Sequence, residues 1–134
     1  AALYRSFKGP VAVEDVPRPS APRGGVLLEV CATGLCRSDW HGWQGHDSDI
    51  KHLPHVPGHE LSGIVAEVGE GVTRFTRGDK VLVPFILSCG TCHECLDAAP
   101  TVCTEQQQPG FHLWGSYAQY VALPWADRNL MLLP

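Results

Sequence analysis

Apolar and polar residues alternate over short stretches of the chain, and glycine or proline interrupts them every ten residues or so. The clearest alternation runs from Val26 to Thr33, with Val26, Leu28, Val30 and Ala32 on one face and Leu27, Glu29, Cys31 and Thr33 on the other. That is the period of a half-buried strand. Comparable runs predict strands from Val11 to Val16, Glu60 to Val68, Lys80 to Phe85, Gly115 to Leu123 and Leu130 to Leu133. The segment Pro17-Arg18-Pro19-Ser20-Ala21-Pro22 cannot enter a sheet interior and reads as a surface connection. Gly34 ends the strand before it, and Ser38 is a candidate N-cap for a short helical piece through Trp40 and Trp43. No helical pattern of about 10 to 15 residues alternates with the strands, so a parallel doubly wound sheet is not encoded. Gly69-Glu70-Gly71 is followed by Arg74 where a dinucleotide fingerprint needs its third glycine.

Composition narrows this picture without changing it. The length of 134 residues suits one domain. Gly and Pro supply 14 and 11 residues, well above the roughly 12% of ordinary chains, which favours strands and turns. Ten basic against fourteen acidic residues give a net charge of -4 with no basic run, which argues against a nucleic-acid partner. The longest apolar stretches are strand-sized and fall short of the roughly 18 residues of a membrane helix. Residues 1–10 carry no apolar signal core. The expectation is a soluble, cytoplasmic, mainly β domain without a membrane partner.

Cysteine placement brings in the chemistry. Cys89, Cys92, Cys95 and Cys103 crowd into fifteen residues, whereas Cys31 and Cys36 stand far upstream. Four soft thiolates on one short loop, with no open position, describe a structural zinc site whose binding energy orders the loop. Two other uses of the same residues stay open: disulfides, and an iron–sulfur cluster, whose fourth cysteine usually follows after three residues rather than seven. His93 lies within the loop and reads as solvated, since four sulfurs already complete a tetrahedron.

A second constellation is open. Gly34-Leu35-Cys36-Arg37-Ser38-Asp39-Trp40-His41 and Gly58-His59-Glu60 offer one thiol, one imidazole and one carboxylate. An isolated cysteine is usually a small buried hydrophobe, but the glycines beside His59 let the backbone turn sharply as a strand begins. Gly63 stands where the second histidine of H-E-x-x-H would be, which rejects a metalloprotease helix. His46, His52 and His55 fall in a proline-interrupted loop and read as solvated, and Cys31 as a packed thiol.

In order and spacing, G-x-C-x-S-D, G-H-E-x2-G, G-E-G-V with a later G-D-x-V, and C-x2-C-x2-C-x7-C resemble the zinc-containing alcohol dehydrogenases of the medium-chain dehydrogenase/reductase family, and specifically their GroES-like catalytic domain. The likeness covers essentially all 134 residues. It implies a partly open, mainly β barrel with short helices, from which the four-cysteine loop projects as a zinc-binding lobe. It further implies two zinc ions, one structural on Cys89, Cys92, Cys95 and Cys103, one catalytic on Cys36 and His59 with Glu60 beside them. Ser38 resembles the hydroxyl that accepts the alcohol proton, His41 the imidazole that passes it to solvent, and Asp39 the carboxylate that steadies the site. Arg37 matches a contact to the cofactor pyrophosphate, and Phe85, with Trp40, a lining of the substrate pocket.

The resemblance therefore implies oxidation of an alcohol to an aldehyde or ketone by hydride transfer to NAD or NADP held on a Rossmann domain, in an enzyme that is a homo-oligomer at full length. The Rossmann domain, and the further Cys or Asp that completes the family's catalytic zinc, lie outside residues 1–134. The second reading is a stand-alone, non-catalytic zinc-binding module of the same fold. A G-x-G-x-x-G-like segment downstream of Pro134 in the reading frame separates the two.

Overall fold

The computed structural model describes residues 1–134. Its strands are β1 (Ala2–Tyr4), β2 (Val11–Val13), β3 (Val26–Thr33), β4 (Leu61–Val68), β5 (Lys80–Val83), β6 (Tyr120–Leu123) and β7 (Met131–Leu132). Three short helices, α1 (Arg37–Trp43), α2 (His93–Leu96) and α3 (Ala126–Asn129), and one 3-10 turn, Pro100–Val102, complete it. The five longer-range strands form an antiparallel sheet in the order β6-β3-β4-β5-β7, and β1 pairs with β2 in a separate ribbon. The sheets do not close on each other, which gives the partly open barrel that the sequence suggests. None of the helices is long and apolar enough to cross a membrane.

One face of the five-stranded sheet makes the core. Val26 and Leu28 of β3, Val65 of β4, Val81 of β5 and Val121 and Leu123 of β6 are almost wholly buried, and Phe75 and Leu130 close the edges. Each side chain of this size contributes about 1.5–3 kcal/mol on burial. Two register shifts in the β3–β4 pairing, at Leu27/Leu28 and Val30/Ala32, bend the pair, as bulges do. Beyond the second shift the chain leaves the sheet at Gly34, and the backbone that follows carries Cys36 into α1.

Several elements differ from the sequence reading. β1 has only three residues and no readable period. The strand predicted from Val11 stops at Val13 ahead of Pro17, and the one expected from Lys80 to Phe85 stops at Val83 because Pro84 has no N–H to offer. The strand expected from Gly115 begins only at Tyr120. Gly115, Ser116 and Tyr117 instead donate their N–H groups to the carbonyls of Val56, Gly58 and Pro57, at 2.7, 2.9 and 3.0 Å. The cap of α1 is Cys36, not Ser38: Cys36 N–H donates to Asp39 Oδ2 at 3.0 Å. Cys31 is exposed rather than packed, because the outer half of β3 leaves its second face uncovered. His55 is buried rather than solvated and donates from Nε2 to Gly110 O at 2.8 Å.

Gly63 shows how tightly β3 and β4 approach: a Cβ at that position would lie 2.3 Å from the backbone oxygen of Glu29. Neither strand can move away without breaking the ladder. Gly63→Ala is therefore expected to cost about 1–3 kcal/mol, the range for overpacking, and thermal or urea unfolding against the parent chain measures it.

Candidate metal centres

The four-cysteine lobe is a loop without a core of its own, since its large apolar side chains Leu96 and Val102 are exposed. The Cys89–Cys103, Cys92–Cys103 and Cys89–Cys95 sulfurs lie 3.6, 3.7 and 4.0 Å apart, and all four lie within 4.8 Å of one another. Those separations are nearly twice a disulfide bond. They match the edge of a tetrahedron, about 3.8 Å, drawn by four sulfurs about 2.3 Å from a single ion. The cysteines are free thiols, and backbone N–H groups of Thr91 and Cys92 point at Cys89 Sγ from 3.4 and 3.3 Å. Those bonds, with the Thr91 hydroxyl, bring the Cys89 thiol down to about 6, while burial pushes Cys95 up to about 12. The donor set fits one soft tetrahedral ion such as zinc. His93 is exposed on the lobe surface, where it faces Asp97.

The second cluster is assembled from two separate segments. The loop after β3 brings Cys36, the loop before β4 brings His59 and Glu60, and their ligand atoms lie within 4.8 Å of one another. Gly34 makes room for this: a Cβ there would lie 2.0 Å from Glu60 Oε2. Gly58 turns with φ +101, and a Cβ on it would meet Ser116 Oγ at 2.5 Å, so glycine is needed for both the turn and the approach.

Asp39 holds these segments in place. Its carboxylate is 6% exposed. Oδ1 accepts the Gly58 N–H at 3.0 Å and His59 Nδ1–H at 3.2 Å. Oδ2 accepts the Cys36 N–H at 3.0 Å and the Tyr117 hydroxyl at 3.1 Å. Burial works against the anion, but the bonds from His59, Cys36 and Gly58 hold the carboxyl below its ordinary range. The same bond to Asp39 outweighs burial at His59 and raises the imidazole to about 9. With Nδ1 committed to Asp39, Nε2 is the nitrogen left for a metal, the tautomer that a carboxylate behind a ligating histidine selects. The Cys36 thiol is lowered by hydrogen bonds from Ser38 and then by His59. Thiol, imidazole and carboxylate on an open cluster fit a zinc ion with room for another ligand.

The remaining predicted residues fall around this cluster. Ser38 is the second residue of α1, with its Oγ 3.7 Å from Cys36 Sγ. His41 lies further along the exposed face of α1 and pairs with His46, Nδ1 to Nδ1 at 3.3 Å, rather than with Ser38. Phe85, exposed beyond β5, lines a cleft of about 470 Å³ with His59, Glu60, Leu61 and Leu82. Trp40 lines a different hollow, of about 460 Å³, with Cys36, Trp43 and Arg37. The Arg37 guanidinium lies over the Trp40 ring at 5.6 Å. The structure thus puts Phe85 and Trp40 in two different clefts, one lined by His59 and the other by Cys36. Sequence reasoning missed Tyr117 and Phe111, whose ring packs on His59 at 5.2 Å; the run of small and aromatic residues around each gave no sign of a site.

Comparison with known proteins follows the same lines. The profile described as "Alcohol dehydrogenase GroES-like domain" matches residues 22–134. An alcohol dehydrogenase of Geobacillus stearothermophilus is 40% identical over 121 residues, which cover 90% of the chain and 36% of that protein. A solved structure of an NAD-dependent alcohol dehydrogenase superposes with a TM-score of 0.88 at 38% identity, over 98% of this chain and 38% of the other. Zinc-dependent alcohol dehydrogenase 2 from Streptococcus pneumonia superposes with a TM-score of 0.87 at 32% identity, over 100% of the chain and 38% of that one. The chain thus spans little more than a third of the length of the proteins it matches.

A metal that takes His59 Nε2 must displace a proton below about pH 9, so affinity at this cluster should rise with pH and level off above about 9. Asp39→Asn removes the carboxylate that raises the imidazole, so its plateau should come at lower pH and lie at weaker affinity. Chelator competition between about pH 6 and 10 reads both effects. At the lobe, Cys95→Ser should abolish tight metal binding, and Cys36→Ser should leave it intact; elemental analysis after gel filtration distinguishes them.

Proposed function

Since the chain belongs to the alcohol dehydrogenase GroES-like domain family, we propose that it is the catalytic domain of a zinc-dependent alcohol dehydrogenase acting with NAD or NADP. The observation that carries this reading is the convergence of Cys36, His59 and Glu60 behind the Asp39 carboxylate, beside a cleft that Phe85 and Leu82 make apolar on one side. Zinc, when bound there, supplies a Lewis acid for the oxygen of an alcohol or aldehyde.

The residues of the chain divide the other tasks. Cys36 and His59 hold the ion, Glu60 stands in reach as an acidic neighbour or alternate ligand, and Asp39 fixes the imidazole. Ser38, adjacent to Cys36, takes the proton of the substrate hydroxyl. His41, further out on the exposed face of α1, delivers it to solvent. Phe85 excludes water from the apolar side of the cleft. Arg37 would hold the cofactor pyrophosphate, and the nicotinamide, which would supply the hydride acceptor, would be bound by a Rossmann domain outside residues 1–134. A soluble, cytoplasmic homo-oligomer is the setting in which such a two-domain enzyme works. The lobe on Cys89, Cys92, Cys95 and Cys103 is structural.

The test is a chimera in which residues 1–134 replace the matching segment of the Geobacillus stearothermophilus enzyme. Alcohol-dependent reduction of NAD or NADP is the expected outcome, with His59→Ala abolishing turnover. His41→Gln should slow it by about 10²-fold or more near neutral pH, the scale of a lost general base. A folded, zinc-loaded chimera without turnover, or one in which His59→Ala is unimpaired, would overturn the reading.

A further inference from the structure

Resting on the reading of Cys36 and His59 as metal ligands, we infer that Tyr117 is a positioning residue for that centre. Its phenol fixes the Asp39 carboxylate, and through Asp39 it fixes both ligands.

The geometry rests on who holds Asp39. Oδ1 is shared by Gly58 N–H and His59, and Oδ2 by Cys36 N–H and the Tyr117 hydroxyl. The Cys36 bond closes only the first turn of the helix that carries Asp39 itself, three residues away. Tyr117 is thus the one donor to Oδ2 that comes from elsewhere in the chain, 78 residues on. Without it, Oδ2 is held only from its own helix turn, and the direction in which Oδ1 meets His59 Nδ1 is fixed less closely, by the Gly58 and Cys36 N–H groups alone.

The ring is placed by its own backbone. The backbone of Gly115, Ser116 and Tyr117 is laddered onto residues 56–58, the segment that leads directly into His59. The phenol oxygen also reaches Gly34 O at 3.2 Å, at the start of the loop that delivers Cys36. Tyr117 therefore spans the two ligand-bearing segments, with its backbone on the one that leads into His59 and its hydroxyl, whose single proton is shared between Gly34 O and Asp39 Oδ2, on the one that carries Cys36. No second hydroxyl duplicates it: the nearby Tyr4 hydroxyl is buried and makes no hydrogen bond. Tyr117 lies outside the cleft lined by His59, Glu60 and Phe85, and on the side of Cys36 and Trp40 instead. Burial and the negative charge of Asp39 raise the phenol above its ordinary range, so it stays a donor.

The experiment loads cobalt(II) into the chain, with the four-cysteine lobe as internal reference, and reads affinity by chelator competition and ligand geometry by visible absorption. Tyr117→Phe should weaken the Cys36–His59 centre about ten-fold, the lower end for loss of a group behind a metal ligand, and alter its cobalt spectrum. The lobe should keep its affinity. In an Asp39→Asn background the same substitution should bring no further loss, as expected when one residue acts through the other. Unchanged affinity and spectrum in Tyr117→Phe, equal losses at both centres, or additive losses with Asp39→Asn would each overturn the inference. Failure of the underlying reading looks different: the parent chain itself would take up only one equivalent of cobalt.

Discussion

A buried carboxylate with four donors organises this molecule. Asp39 sits where water cannot solvate it, and an anion there is tolerated only if hydrogen bonds replace the lost hydration. The four donors come from its own helix turn, the loop before β4 and the segment before β6. Satisfying one side chain therefore draws three distant stretches of chain to a point. Cys36 and His59 are brought into ligand range as a consequence, and the imidazole is left with a single free nitrogen.

The sheet supplies the rigidity that this arrangement needs. β3 and β4 are held close by Gly63, and the loops that leave their adjacent ends carry Cys36 on one side and His59 on the other. At Gly34 and Gly58 the chain gains clearance for Glu60 and Ser116 that any side chain would fill. The lobe works by a different principle. Its loop buries little apart from Cys95 and Cys103, so its order depends on what its sulfurs bind.

How much of this could be read from the sequence depends on the range of the interactions involved. β3 was legible because eight alternating residues carry their own period. The four cysteines and the Cys36 and His59 segments were legible because their chemistry is compressed into a few residues each, at spacings that one ion can bridge. β1 was not, since three residues carry no period and its partner β2 is needed to define it. His55 and Cys31 were misplaced because exposure there is set by Gly110 and by an uncovered sheet face, neither of which is local in sequence. The sequence pattern places Tyr117 within a strand from Gly115 to Leu123. Its role depends on a contact 78 residues away, and a tyrosine among small residues has no local signature for that.

Anomalous diffraction at the zinc edge, from crystals of the zinc-loaded chain, tests the central claim most directly. The account predicts two peaks. One lies inside the Cys89, Cys92, Cys95 and Cys103 sulfurs at about 2.3 Å from each, and the other between Cys36 Sγ and His59 Nε2, with Asp39 still accepting from His59 Nδ1. A second peak coordinated by Asp39 itself, or none beside His59, would contradict it.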